Sequence, residues 1–297
     1  RLVVAAAPLL TQSGEIGTLA SVLGTIQPSP ALDAGELLYW RNYVLLKTGD
    51  YETLTTELPL LEAIWGGSTD PVIVTRLTSL RATQQMYAGA SDVSLTSVDR
   101  ALTSGAGLSV AERSLAQVAK LSALVLSGDI AGADRILRGN PAIDPSGALV
   151  LRVYAADIAL AQCETLTAAT ILRQALDHYS THISHAYLIC FLTLIEITRG
   201  WGDLAESSAL MAQAEAYERT IPHRLLRWQV DHSLSRLAAA EGDWATAHLH
   251  ASAMVRALPL RCAPDKRRYA AAWFAWVAAQ QDDSGPMHAV LETETSS

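Results

Sequence analysis

The chain has 297 residues, of which 50% are hydrophobic and 18% are charged, and its formal net charge at pH 7 is −8. This length and apolar content allow one or two globular domains, or one continuous repeat array with a large core. The acidic balance argues against a nucleic-acid-binding surface, and no apolar run reaches the length of a membrane span. Three widely spaced cysteines without a C-x-x-C pair (Cys163, Cys190 and Cys262) favour reduced thiols in a cytoplasmic protein.

Small turn sequences recur along the chain at intervals of roughly 35 to 41 residues, the period range of helical-hairpin repeats. Glycine can end one helix in the left-handed conformation, and the following acid can then cap the next helix. Cys163 replaces the glycine in one turn, so a less regular turn is expected there. The turns are Gly14-Glu15, Gly49-Asp50, Gly89–Asp92, Gly128-Asp129, Cys163-Glu164, Gly202-Asp203 and Gly242-Asp243.

Apolar residues at helical spacing flank each turn, whereas alternating strand patterns are nearly absent. The sequence therefore predicts an all-α fold, a right-handed α-α superhelix of about eight helical hairpins in a single domain over residues 1–297. The tail 292–297 is expected to fray. The predicted hairpins are Arg1–Ile26, Gly35–Trp65, Pro71–Ser104, Ser109–Arg138, Ala148–Tyr179, His185–Arg219, Arg224–Leu258 and Lys266–Leu291.

The GDY, GDI, GDL and GDW turns, each followed by Ala or Leu at helical spacing, resemble tetratricopeptide-type repeats, with Gly242–Pro259 as the nearest copy. The opening 2–54, with its "TLASVL" helix, Pro-containing link and "LLYWRNYVLLKTGDY" helix, is more particular. It looks like the helical-repeat sensor region of the large ATP-dependent LuxR-type (maltose-regulon-activator-like) transcription regulators. In that family the sensor region lies between an ATPase module and a DNA-binding helix-turn-helix, and it receives an inducer or an inhibitory protein. The chain has neither a phosphate-binding loop nor a basic C-terminal helix-turn-helix, so the resemblance implies a sensor module from a larger protein.

In tetratricopeptide-type superhelices the first helix of each hairpin lines the concave face. The position six residues before the turn is polar in six of the repeats, although its neighbours are apolar, and the position ten residues before the turn is Tyr39, Arg81 or His232 in three of the repeats. An unpaired buried charge costs several kcal/mol, so these side chains are expected to face water, a partner charge or a ligand. The predicted ligand- or partner-binding residues are Tyr39, Tyr43, Arg81, Gln85, Asp157, Glu196, His232 and Arg236.

Two interpretations of this polar row remain open. It can line a groove that binds a sugar-like ligand, a peptide or a protein segment. Alternatively it is a solvated face with ion pairs between repeats, such as one between Glu196 and Arg236. The tryptophans of the first helices, Trp40, Trp228 and Trp273 among them, fit either core packing between repeats or interface anchors.

Metal and catalytic sites are weaker hypotheses. His178, His182 and His185 have helical metal-ligand spacing, but the surrounding Ser and Thr residues favour a polar helix end. His248 and His250 are two residues apart, so their side chains should diverge on a helix. No G-x-S-x-G elbow or identifiable acid–base pair is present.

The sequence therefore predicts a non-enzymatic sensor module of a bacterial transcription regulator, without a cofactor or metal. It would bind a small-molecule effector or a regulatory protein or peptide, with no direct nucleic-acid contact and no membrane. Self-association, or packing against other domains of the parent protein, is also expected. The alternative is a stand-alone scaffold or adaptor that mediates protein–protein interaction.

Overall fold

A computed structural model describes residues 2–12, 15–26, 34–48, 50–87, 98–99, 102–103, 108–139, 145–180, 185–220, 224–258 and 264–281. Within these ranges the fold is all-α, with fourteen helices and no strand, so the predicted fold class is confirmed. The handedness of the superhelix stays a prediction. The chain divides into two compact units, 1–187 and 188–297. The prediction of a single domain is not tested by this division.

The first unit contains nine of the helices, and α10 begins at its end. They are α1 (Leu2–Gln12), α2 (Ile16–Thr25), α3 (Ala34–Thr48), α4 (Tyr51–Trp65), α5 (Pro71–Tyr87), α6 (Val110–Leu126), α7 (Ile130–Arg138), α8 (Pro145–Ala161) and α9 (Thr165–His178). The second unit contains most of α10 (His185–Gly200), α11 (Leu204–Glu218), α12 (Arg224–Glu241), α13 (Trp244–Ala257) and α14 (Pro264–Ala279).

Six of the predicted hairpins have both helices in the described ranges, namely α1/α2, α3/α4, α6/α7, α8/α9, α10/α11 and α12/α13. Helices α5 and α14 are the first helices of the other two. Most of the predicted second half of those two hairpins lies outside the described residues, as do the tail 292–297 and Cys262.

Three of the Gly-Asp turns, at Gly128, Gly202 and Gly242, lie wholly in the described residues and close in the predicted manner, whereas Gly49 lies outside them. Gly202 has φ +82°, and Asp203 donates its N–H to the carbonyl of Thr198 at 3.0 Å, which ends α10 with the bond pattern of a Schellman motif. The Asp203 carboxylate then accepts from the N–H of Glu206 at 2.9 Å and caps α11. Gly128 and Gly242 are also left-handed, at +80° and +83°.

Cys163 adopts the glycine conformation, with φ +63°. Its turn has the same closing bond, from the N–H of Glu164 to the carbonyl of Ala159 at 2.8 Å. The expected irregularity is therefore not in the backbone path. It appears instead in two local features. Cys163 has a Cβ in the left-handed region, where such an atom is sterically unfavourable, and Glu164 makes no side-chain cap of the next helix.

We expect Cys163→Gly to stabilise the first unit by about 1 kcal/mol, because a Cβ in the left-handed region costs about 1–2 kcal/mol and glycine's extra unfolded-state freedom offsets part of the gain. The reciprocal control is Gly202→Ala, which places a Cβ at a left-handed residue with open space around it and should be destabilising. Urea unfolding of both variants measures the two effects. A Cys163→Gly variant less stable than wild type would contradict the claim that the left-handed conformation of Cys163 destabilises the fold.

The core of the first unit lies among the first helices. Helix α1 contacts α3 and also α6, while α3 contacts α5 and α5 contacts α6, so four first helices surround one apolar cluster. Ala7, Tyr39, Leu80 and Leu115 supply one buried residue from each of these helices. The α1–α6 contact joins segments about a hundred residues apart, which the repeat period alone does not predict.

Candidate functional site

The structure divides the eight predicted site residues between the two units. Tyr39, Tyr43, Arg81, Gln85 and Asp157 belong to the first unit, and Glu196, His232 and Arg236 belong to the second. Only the second group is brought together around one set of contacts.

Tyr39 and Tyr43 lie in the core, whereas the groove prediction requires both to line an open face. Their exposed fractions are 1% and 0%, and Tyr39 packs edge-on to the neighbouring Trp40 with ring centroids 5.0 Å apart. The guanidinium of Arg76 lies 4.8 Å from the centre of the Tyr39 ring. The physical reason is the close approach of the first helices of this unit, which leaves these rings inside the apolar cluster.

Arg81 and Gln85 lie further along α5. Arg81 is half exposed and forms an ion pair with Glu62 of α4 at 2.6 Å, so it bonds the second helix of the preceding hairpin. Gln85 is half-buried. A role for these two residues in binding stays a prediction.

Asp157 is a half-buried acid on α8. Burial raises the pKa of its carboxyl from 3.8 to about 6. An acid with a raised folded-state pKa binds its proton more tightly in the folded protein than in the unfolded chain, so its ionisation destabilises the fold as the pH rises through this range. The Asp157 carboxyl is therefore neither fully solvated nor well paired with a positive charge.

Replacing Asp157 by asparagine should increase the free energy of unfolding at pH 7.5 by roughly 1–2 kcal/mol, because the variant has no charge to bury. Near pH 4 the wild-type carboxyl is protonated in the folded state, so the difference should nearly vanish. Denaturant unfolding at both pH values measures it, with the exposed Asp177→Asn as control. A gain that is equal at both pH values would show that ionisation of Asp157 is not its cause.

In the second unit Glu196 is the centre of an ionic cluster. Its Oε2 lies 2.9 Å from Nη2 of Arg199 on the same helix and 2.8 Å from Nη1 of Arg236 on α12. The three side chains are 19–30% exposed, so they lie at a partly solvated surface. The pair between Glu196 and Arg236 is confirmed, and the single acid in the apolar run of α10 is thereby neutralised.

His232 lies one helical turn before Arg236 and contacts α14. Its Nε2 is 2.8 Å from the hydroxyl of Tyr269, and its ring meets that of Trp273 edge-on at 6.1 Å. Burial lowers the pKa of His232 from 6.5 to about 4, with the charges of Arg236 and Arg199 assisting and that of Glu196 opposing. The ring is therefore neutral at pH 7 and serves as a hydrogen-bonding group.

Trp273 fixes the position of α14 against α12. Its Nε1–H donates to the Ser235 hydroxyl at 2.9 Å, and that hydroxyl donates to the carbonyl of Ala247 at 2.8 Å. The guanidinium of Arg236 lies 5.8 Å from the centre of the Trp273 ring. The Trp273 ring and the Arg236 guanidinium thus form one continuous surface. We call the set Glu196, Arg199, His232, Arg236, Tyr269 and Trp273 the polar–aromatic face.

A second ionic cluster braces the same helix. Asp231, with a 2% exposed side chain, accepts from Arg227 at 2.8 and 3.0 Å and lies 3.0 Å from Nδ1 of His250 on α13. Burial tends to raise the pKa of Asp231, but its bonds to His250 and Arg227 outweigh this and hold it below the usual value. Arg227 also reaches Glu218 at 3.1 Å. The cluster joins α11, α12 and α13 through contacts centred on Arg227 and Asp231.

Sequence reasoning missed Arg199 and Tyr269, and it left Trp273 open between core packing and an interface anchor. The signal for the last two was the repeat itself: Tyr269 lies 37 residues after His232, and Trp273 follows Arg236 by the same interval. The last hairpin has no Gly-Asp turn from which to count, so these positions were not reached. Arg199 could have been found as a basic residue three positions after the isolated Glu196.

The other sequence candidates have plain structural roles where they are described. Cys190 is buried and Cys163 is exposed. The rings of His248 and His250 diverge as predicted, since His248 packs against Phe274 with centroids 5.2 Å apart and His250 bonds Asp231. His182 lies outside the described residues, so the three-histidine site is not tested. Among the residues that are described, no group of three His, Cys, Asp or Glu side chains could hold a metal.

The fold and this face define an all-α protein built from helical hairpins, with a polar–aromatic surface on neighbouring first helices. No family model matches the sequence, and no curated protein matches it significantly. In the part of the chain that the structure describes, no helix combines the length and apolarity needed to cross a membrane.

Proposed function

We propose that the chain is a non-enzymatic binding module and that the polar–aromatic face of the second unit is its binding surface. The observation that carries this proposal is the convergence of three first helices on one partly exposed cluster. Glu196 of α10, Arg236 of α12 and Tyr269 of α14 are linked through ion pairs and the His232 contact. Tyr, Trp and Arg are the residue types that most often anchor binding interfaces.

The chemistry of the face supports recognition rather than catalysis. The Oε2 atom of the acid is occupied by ion pairs with two guanidiniums. The histidine is neutral, but its ring nitrogen already bonds a tyrosine hydroxyl. The polar–aromatic face presents hydrogen-bond donors, aromatic rings and charged groups to a ligand in a fixed arrangement.

The resemblance to LuxR-type regulators suggests the wider role, a sensor module that receives an effector or a regulatory protein. In this proposal the ligand binds best to one spacing of α10, α12 and α14 and so shifts the population toward it. The Glu196–Arg236 pair joins two of those helices, so a ligand that competes for either partner changes the restraint between them.

A thermal-shift screen with small metabolites and pooled peptides tests the face. Glu196→Ala/Arg236→Ala removes an acid and a base together and so leaves the net charge unchanged. We expect ligands that stabilise wild type to lose most of their shift with this variant. The charge-matched control is Glu215→Ala/Arg219→Ala, in and just after the second helix α11, which should keep the full shift.

The proposal fails if every stabilising ligand acts equally on wild type and on the Glu196→Ala/Arg236→Ala variant. It also fails if no compound or peptide in the screen stabilises wild type. If the ligand-induced shift were lost in both double variants, a general loss of folding would be indicated. Far-UV circular dichroism of each variant before the screen reveals such a loss.

A further inference from the structure

We propose that the polar–aromatic face binds an acidic polypeptide segment that also carries apolar or aromatic side chains. This inference rests on the proposed function of the same face and specifies its partner. It follows from three features of the face: surplus positive charge, exposed aromatic rings and length.

The charges on the face do not balance. One carboxylate, Glu196, faces the two guanidiniums of Arg199 and Arg236, which leaves one positive charge over. Each guanidinium contributes one Nη atom to its ion pair with Glu196. A further carboxylate can therefore bind these donors, since each guanidinium has five N–H groups and matches carboxylate geometry.

A neighbouring group reinforces the positive charge. Arg268 is exposed in α14, immediately before Tyr269. The nearby acid of α12, Asp231, is buried and paired with Arg227, so its side chain is not part of the exposed surface. The polar–aromatic face thus carries more positive than negative charge in a chain whose net charge is −8, and charge complementarity favours an anionic partner.

Aromatic rings continue the face along α14. Tyr269, Trp273 and Trp276 occupy one stripe at helical spacing, and Tyr269 and Trp276 are 46% and 42% exposed. Trp276 packs against Trp273 with ring centroids 5.0 Å apart, so its ring is held in place. Rigid, half-exposed rings bury apolar side chains at little cost in conformational entropy.

The length of the face favours a polypeptide over a small molecule. The ionic cluster joins α10 to α12, and the His232–Tyr269 contact joins α12 to α14, so the face crosses three adjacent helices. Packed helices lie about 8–10 Å apart, so the face extends roughly 16–20 Å. An extended peptide rises about 3.3 Å per residue, so about six residues cover that length.

The test is selection of a random dodecapeptide library displayed on phage against the purified chain. We expect the enriched peptides to be rich in Asp and Glu and to contain Leu, Phe or Trp. Their affinity should fall at least about tenfold for Glu196→Gln/Arg199→Gln/Arg236→Gln, which removes the surplus charge without leaving Glu196 unpaired. The matched control is Arg256→Gln on α13, which also removes one positive charge, from an exposed site, and should bind the peptides as wild type does.

The outcomes separate this inference from the function on which it rests. The enriched peptides could be basic or uncharged and still lose affinity for the triple variant. That result would contradict an acidic partner but would support the polar–aromatic face as the binding surface. Peptides that bind the triple variant as tightly as wild type would contradict both. If no peptide is enriched above background, the polypeptide partner is overturned, while the small-metabolite arm of the thermal-shift screen still tests the face.

Discussion

Replacing Arg76 by methionine should lower the free energy of unfolding of the first unit by about 3–5 kcal/mol. Arg76 is 12% exposed and lies between two acids, 2.5 Å from Glu36 of α3 and 2.5 Å from Glu112 of α6. Glu112 is only 3% exposed, and it also closes the capping box with Ser109 at the start of α6. Without the guanidinium, a buried carboxylate is left unpaired in the core.

Arg81→Met supplies the matched control for Arg76. Both arginines lie on α5 and pair with glutamate, but Arg81 and its partner Glu62 are 49% and 32% exposed. An exposed ion pair contributes about 1 kcal/mol or less, because water and salt screen it. Urea unfolding of both variants compares the loss in free energy of unfolding at the two positions. Equal losses would show that the buried cluster around Arg76 contributes no more than a surface pair.

The double variant Arg76→Met/Glu112→Gln distinguishes an unpaired charge from lost packing. If the cost of Arg76→Met comes from the charge left on Glu112, neutralising that carboxylate should recover part of the lost stability. The amide of glutamine retains an acceptor for the Ser109 cap. No recovery would assign the loss to the stacking of Arg76 on Tyr39 and to the missing side-chain contacts.

The second large effect is expected at Trp273. We predict that Trp273→Ala lowers the free energy of unfolding of the second unit by about 3 kcal/mol, because the ring packs between α12 and α14 and is bonded to Ser235. Trp273→Phe keeps most of the ring and loses the indole N–H, and should cost about 1 kcal/mol. Trp276→Ala, at a ring 42% exposed, is the control on the same helix and should cost clearly less than Trp273→Ala.

Chemical unfolding followed by tryptophan fluorescence and by far-UV circular dichroism measures these losses. A Trp273→Ala loss no larger than that of Trp276→Ala would contradict the anchoring role of Trp273. It would also weaken the view that the polar–aromatic face is held rigid by the packing of α14 against α12.

The architecture was predictable because it depends on local chemistry. Gly202 permits the left-handed helix end, and Asp203 supplies the cap of the next helix, so a short sequence sets each hairpin. The Glu196–Arg236 pair was predictable for a related reason: equivalent positions of successive repeats face one another, and a lone acid in an apolar helix requires a partner.

The first unit shows what the repeat pattern does not determine. Counting back from a turn places Tyr43 on the same side of its helix as Glu196, yet Tyr43 is buried and Glu196 is at the surface. The difference arises from the contact between α1 and α6, which closes the first helices around the tyrosines. That contact joins distant segments and depends on helix–helix packing, which a local motif does not encode.

The most direct test of the central claim is to map where a bound ligand protects the second unit from hydroxyl radicals. With a ligand obtained from the thermal-shift or peptide screens, mass spectrometry should show strong protection of Tyr269 and Trp276 on α14. Oxidation of Trp201, in the turn after α10, and of Leu249 on α13 should be unchanged, although these side chains are 45% and 61% exposed. Protection of Trp201 or Leu249 with none at Tyr269 would place binding elsewhere and contradict the polar–aromatic face as the binding surface.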